Sequence, residues 1–344
     1  MAKQHGISLS TYLSKNFTSS FMTIFLPLFF IGSLVFIIKI SSLTASIQIS
    51  FLEMVQLFSY NLPAILFYIL PVSFLVAVVI TLLRLSNDNE LMAIFALGSN
   101  ANSIMKRLFL IASLFTLIML MLSLALMPKT KQQFKAFQHE KASQAQININ
   151  PSKLGQKFGD LFVYVKSKEG ETMHNIVIYK KDKGSTNQLF IAKKANFETK
   201  DSLVTLTLKN GLGYTFSKDS LEEINYESMK VFKNLNSEAF TYNNIIDYWI
   251  KLSLNPNKKA KILFFIFISL IPLIGLYIVS AFSIINPRYN KNYAYHILGL
   301  TTILLFGIAT VLKKQGTPLI LLVIVTIIFF LGYALFKRYV LRYF

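Results

Sequence analysis

The sequence predicts a membrane protein of α + β class: six transmembrane helices, three on either side of an inserted antiparallel β domain of the sandwich or jelly-roll type. Three observations carry this expectation. Of the 344 residues, 53% are hydrophobic, and they gather into long runs. Between the third and fourth runs the pattern changes to short alternating segments broken by turn residues. The short connections also divide their basic residues unequally, as membrane loops do.

The runs are Phe21–Ile40, Leu62–Leu83, Leu108–Met127, Ile262–Ile285, Ala294–Leu312 and Pro318–Phe336. Crossing about 30 Å of hydrocarbon takes about 20 helical residues, and each run suffices. The interior prolines Pro27, Pro71 and Pro272 do not oppose this, because spanning helices tolerate them. The first run starts at Phe21, and Leu43-Thr44-Ala45 is a poor cleavage site, so it reads as a retained anchor. Residues 1–127 form an N-terminal membrane half, 128–261 the β domain with flanking helices, and 262–344 a C-terminal membrane half.

The connection from Arg84 to Arg107 holds an apolar run, Leu91 to Leu97, too short to cross a bilayer. Asn87 suits the N-cap of a short helix over 88–97, Glu90 its third position, and Gly98 the left-handed residue after it. Leu91, Met92, Ile94, Phe95 and Leu97 cover most of its circumference. So short a helix is marginal alone, and exposing that surface is costly. It docks either on the ends of spans two and three and the headgroups, or in a groove of a partner ATPase. In the second case Glu90 would make a specificity contact with a basic side chain.

Past the third run, Lys129–Gln146 reads as a helical extension. The alternating runs "DLFVYVKS", "TMHNIVIYKK", "QLFIAKKANFE", "SLVTLTLK", "LGYTFSK" and "INYESMKVF" read as strands. Lys168-Glu169-Gly170, Asp182-Lys183-Gly184 and Lys209-Asn210-Gly211 read as turns. Phe162, Tyr164, Ile176, Ile178, Phe190, Leu206 and Leu208 are expected to face inward. A short helix near Asn243–Ser253 leads into span four.

Lys3, Lys15, Arg84, Lys106, Arg107, Arg288, Lys291, Lys337, Arg338 and Arg342 fall on one side of the membrane. Only Lys39, Lys313 and Lys314 stand in short connections on the other. Basic residues stay inside, so both termini are expected in the cytoplasm and the β domain outside. The net charge is +19, but no basic helix or aromatic-flanked basic cluster tracks phosphates, and nucleic acid is not expected as a partner.

Several chemistries are not expected. Cysteine is absent, which removes disulfides and thiolate metal sites. None of the 14 glycines precedes a lysine, so the chain has no phosphate-cradling Gly-Lys loop. His5, His139, His174 and His296 are scattered without metal-ligand spacing. Spans two, three, four and six carry no acidic residue, lysine, arginine or histidine, unlike an ion-driven pathway. We expect no catalytic residue, metal or cofactor, and an energy source on another subunit.

The stretch "NLPAILFYILPVSFLVAVVITLLRLSNDNELMAIFALGSN" resembles the signature of the LptF/LptG permease family, membrane subunits of the lipopolysaccharide exporter. The matching features are Pro63 and Pro71, the Leu-rich span and the acidic "ELMAIFALG"; Phe95 stands where the family often has Arg or His. "SIINPRYNK" (Ser283–Lys291) is similar to the family's turn after span four. The resemblance implies an inner-membrane permease of a Gram-negative bacterium, driven by a cytoplasmic LptB-like ATPase dimer. Asp88, Glu90, Leu91, Ile94, Phe95, Leu97 and Gly98 would dock that ATPase. It further implies a paired homologous permease, lateral gates at spans one and five, an LptC-like periplasmic bridge and lipopolysaccharide as cargo. Lys39, Lys313 and Lys314 would touch lipid phosphate, and for Lys39 the alternative is snorkelling to the interface. "NPR" fits the F type and "IIK" the G type, so the subunit type stays open. Two rivals also stay open: a mechanotransmission subunit without lipid passage, and a membrane-anchored periplasmic scaffold.

Overall fold

Backbone polar groups inside a bilayer must be satisfied within the segment that carries them, so long helices are the expected solution. A computed structural model describes residues 9–44, 50–147, 156–158, 161–170, 172–181, 187–200, 203–216, 220–234, 244–254, 256–286 and 292–343. The expected turn at 182–184 and residues 287–291 of the family-like turn lie outside them. The chain divides into two compact units, Met1–Ser41 with Phe51–Gln133 and Asn243–Phe344, and Ser42–Ser50 with Phe134–Tyr242.

The first unit is helical. Its elements are α1 (Leu9–Thr44), α2 (Phe51–Asn87), α3 (Glu90–Ala96), α4 (Ala101–Met121), a π turn (Leu122–Leu126) and the start of α5 (Met127–Ile147). It resumes with α6 (Ile245–Leu254), α7 (Pro256–Ser283), α8 (Ala294–Gln315), α9 (Pro318–Phe336) and a final π turn (Lys337–Leu341). Among the described residues, six helices are long and apolar enough to cross a membrane, three before the strands in the chain and three after. Several helices outrun the expected spans: α1 begins 12 residues before Phe21 and α2 begins 11 before Leu62. Hydropathy marks where lipid begins, whereas a helix continues as long as its side chains pack. Leu13, Phe17 and Leu57, outside those runs, are buried.

Helix α7 is central. In its apolar window 67% of residues are buried, against 11% in α1 and in α9. Gly275 lets α2 approach, since a Cβ there would stand 2.9 Å from a Leu75 methyl. The π turn also has a visible cause. Widening the helix frees carbonyls, and the Trp249 indole N–H donates to Leu124 O at 2.8 Å. Ser123 Oγ, in the same turn, lies 3.3 Å from Ser269 Oγ on α7. Thr317 caps α9, accepting from Ile320 N at 3.3 Å, with Pro318 in the first turn where its missing N–H is harmless.

The second unit contains one six-stranded antiparallel sheet in chain order: β1 (Gln156–Phe158), β2 (Leu161–Glu169), β3 (Thr172–Lys181), β4 (Asn187–Lys200), β5 (Leu203–Phe216) and β6 (Leu221–Asn234). Among the described residues this is a meander; the crossing connections of a jelly roll are not among its pairings. The expected turn at Lys209-Asn210-Gly211 is instead the middle of β5, because the chain passes through Asn210 in the left-handed region (φ 53°) without reversing. Phe162 and Tyr164 face away from the core. Val163 and Val165 stand opposite Ile178 and Ile176, and cross-strand partners share a face. Ile176, Ile178, Leu206 and Leu208 are buried as expected, and Phe190 packs against them half-buried.

One row crosses five of the six strands out of pattern. Lys166, Asn175, Lys193, Asn210 and Glu227 would align across β2 to β6, yet no pairing joins them, while pairing continues on both sides. Asn175 (φ 52°) and Asn210 are both left-handed there. Inward positions therefore lie three apart across the row, as at Met173 and Ile176 or Ala192 and Ala195, instead of two. Each strand carries the extra residue at the same level, so the register survives. Beside the row a Cβ at Gly211 would collide with Ile191 O and the Tyr226 hydroxyl, which donates to that carbonyl at 3.1 Å.

Asparagine enters the left-handed region more readily than β-branched residues. Asn210→Val should therefore destabilise the sheet by about 1–2 kcal/mol while Asn210→Gly stays near wild type. Hydrogen exchange of β4 to β6 measures both, and equal protection in the two variants would refute the assignment.

Candidate functional site: the α3 helix

Helix α2 continues through Asn87, the residue expected to cap α3, and its last turn is held by the buried Leu85 and Ser86. Its end tightens as Asp88 N donates to Arg84 O at 2.9 Å and Asn89 N to Ser86 O at 3.1 Å. Asn89 then turns left-handed (φ 57°) and α3 starts at Glu90. The expected capping box is absent, because Asn89 and not Asn87 precedes the helix and Glu90 is its first residue. No side chain caps the amides. The exit matches expectation: Gly98 has φ 87°, Ser99 N donates to Ile94 O at 3.2 Å and Gly98 N to Phe95 O at 3.0 Å. These two bonds close a Schellman motif.

The α3 side chains divide between two environments. Leu91 is 0% exposed and belongs to the helical core, against which Met92, Ile94 and Phe95 pack half-buried. Leu97 is 86% exposed. Asp88 is exposed and pairs with Arg84 at 3.9 Å, an i,i+4 contact of the kind that contributes about 0.3–0.5 kcal/mol. The helix thus packs on its own bundle through one face and carries Leu97 at its far corner.

Two further residues hold this end of the bundle together. Ser86 Oγ donates to Ser283 O at 3.1 Å and accepts from Ile285 N at 3.3 Å, tying the end of α2 to the end of α7. The Tyr12 hydroxyl donates to Glu90 Oε2 at 2.5 Å, tying α1 to α3. Sequence reasoning missed both. Ser86 reads as an ordinary loop serine, and nothing local links Tyr12 to a carboxylate 78 positions away. Only the spacing of Leu13, Phe17 and Phe21 could have shown that the polar start of α1 is a packed helix face.

The basic candidates stand elsewhere. Lys39 is exposed near the end of α1. Lys313 and Lys314 share the last turn of α8, both exposed, with Lys313 Nζ 5.4 Å above the Phe264 ring. Beside that turn an apolar groove of about 540 Å³ runs between α8 and α9, lined by Ile303, Leu304, Gly307, Val311, Gly316 and Ile320 among others. Among the described residues no group of three or more His, Cys, Asp or Glu is placed to hold a metal ion.

The model of one protein family, described as lipopolysaccharide export system permease LptF/LptG, matches residues 11–339. No curated protein matches the chain.

The split of α3 predicts unequal stability effects. Leu91→Ala, which empties a packed site, should cost about 2–5 kcal/mol; Leu97→Ala, at an exposed one, should fall within about 0.5 kcal/mol of wild type. Thermal unfolding in detergent measures both, and a tolerated Leu91→Ala would contradict the packing described.

Proposed function

Because the chain belongs to the LptF/LptG permease family, we propose that it extracts lipopolysaccharide from the membrane under the drive of a separate ATPase. It is a multi-pass permease of the lipopolysaccharide export machinery. In our reading α3 is the docking element. Asp88, Glu90, Leu91, Ile94, Phe95, Leu97 and Gly98 supply it, and an LptB-like ATPase dimer receives it. The observation that carries the reading is Leu97, held in the open on a helix whose other face is fixed by Leu91. An exposed leucine at the corner of a rigid helix suits insertion into an apolar groove.

Charge supports the orientation. Lys15, Arg84, Lys106, Arg107, Lys337, Arg338 and Arg342 lie in or just past the terminal turns of helices at the α3 end, whereas Lys39, Lys313 and Lys314 lie in helix turns at the other. The α3 end then faces the cytoplasm, where the ATPase is, and the sheet faces the periplasm. Residues 1–127, 128–261 and 262–344 act as first membrane half, periplasmic domain and second membrane half. The groove between α8 and α9 has the lining an acyl chain needs, and Lys313 and Lys314 close to Gly316 suit a lipid phosphate. Lys39 is assigned the same role on α1.

The protein itself is a non-catalytic subunit. A second, homologous permease completes the cavity, and an LptC-like component continues the path from a sheet whose apolar face belongs to a jelly-roll-like conduit. ATP-driven closure of the partner pushes on α3, narrows the cavity and moves the lipid towards the sheet.

The test is purification of the tagged chain in mild detergent, comparing wild type with Leu97→Asp. We expect the ATPase to co-elute with wild type and to be reduced at least tenfold with the variant, whose melting temperature is unchanged. No ATPase with the wild-type chain would sink the docking reading.

A further inference from the structure

Glu90 has two neighbours to serve if α3 is a docking element, and one of them is already in place. Its Oε2 accepts from the Tyr12 hydroxyl at 2.5 Å, within the range of a strong bond from a hydroxyl to a carboxylate. A carboxylate can accept at both oxygens, so Oε1 is the atom that a basic side chain of a docked partner would meet. Tyr12 thereby decides where the carboxylate points.

The same bond reaches α1, and the way α1 is attached gives it weight. The first turns of α1 put Leu13, Phe17 and Phe21 into the core. Phe17 meets Phe74 with ring centres 5.4 Å apart, and Phe21 meets Phe115 at 5.0 Å. Further along, Phe30, Ile31, Leu34, Val35 and Ile38 are exposed, and only 11% of the helix's apolar window is buried. Beyond that segment α1 meets α2 beside Gly32 and at Phe36, whose ring centre lies 6.3 Å from that of Phe58, so its most buried rings are those nearest Tyr12. Tyr12 lies one residue before Leu13, in that anchoring segment, and it grips α3. Leu91, with Met92, Ile94 and Phe95 around it, meanwhile packs α3 on the core, so α3 has an apolar face and one polar tether.

We propose that Tyr12 is a positioning residue with two tasks: it aims the Glu90 carboxylate at the docked partner, and it relays displacement of α3 to α1. The proposal rests on the docking reading of α3. Coupling of this kind needs contiguous contacts and an element that moves, and the chain Glu90–Tyr12–Leu13–Phe17 is contiguous.

The sequence contains no cysteine, so a pair of spin labels can be introduced without removing any native thiol. We would label Ser10→Cys on α1 and Asn102→Cys on α4, both exposed. The intact complex with its ATPase in nanodiscs would be compared without nucleotide and trapped with ATP and vanadate, with and without Tyr12→Phe. Fluorescence of the single tryptophan, Trp249, reports that the variant is folded. The expected result is a distance change on trapping in wild type that falls to less than half in Tyr12→Phe, with the ATPase still bound. A variant that shifts as far as wild type with its ATPase bound overturns the relay alone, and so does a wild-type complex that does not shift. A wild-type chain that retains no ATPase overturns the docking reading and the relay with it.

Discussion

A helix that ends inside a packed bundle leaves amides and carbonyls that neither lipid nor water can satisfy. Helix α7 ends this way, with Ser283, Ile284 and Ile285 all buried. Its end is completed from another helix: Ser86 Oγ takes the Ile285 amide and gives its proton to the Ser283 carbonyl. One hydroxyl serving as donor and acceptor joins residues 197 positions apart. The most buried span and the end of α2 are therefore fixed to each other, and α3 begins only three residues beyond Asn87. Whatever acts on α3 acts against that fixed point.

From there the features of α3 follow. Its entrance has no side-chain cap; Asn89, left-handed, turns the chain within two residues of the end of α2. Its exit needs Gly98, since the Schellman closure demands a left-handed residue there. Both reversals are tight, so the helix has little freedom to rotate, and its buried and exposed corners are set. Leu91 goes in and Leu97 stays out. The two docking possibilities left open by the sequence are thus not rivals: the helix packs on its own bundle and still offers an apolar corner and an acidic start to something else.

The sequence made the long helices legible because their signal is additive, about 20 apolar residues each. It made the α3 helix legible through local chemistry, namely a short apolar run and Gly98. It misjudged the start of α3, where Asn87 and Asn89 are equally good caps by type and the burial of Leu85 and Ser86 decides between them. The same limit hid the Tyr12–Glu90 bond, which exists only because two separate helices come together. In the sheet, Lys209-Asn210-Gly211 has turn composition and sits mid-strand, because a left-handed Asn is compatible with either outcome. Phe162 and Tyr164 were placed on the wrong face for a related reason: β2 alternates aromatic with valine, and both sets are apolar. Only its register against Ile176 and Ile178 chooses.

That sheet also bears on where the membrane ends. Along the row from Lys166 to Glu227 the ladder is interrupted in four successive strand pairs, and β6 stands at the edge of the sheet. Backbone groups left unpaired by such a break would be costly in hydrocarbon, where each unsatisfied group costs several kcal/mol. In water the cost largely disappears, since solvent pairs with them. Lys166, Lys193 and Glu227, placed along the row, are exposed, as are both left-handed asparagines. The helical unit has the opposite character: its irregular backbone, at Asn89, Gly98 and the π turn, is matched by the bonds described above. Interrupted pairing among exposed polar residues suits water, and the buried end of α7, closed by Ser86, suits a bilayer.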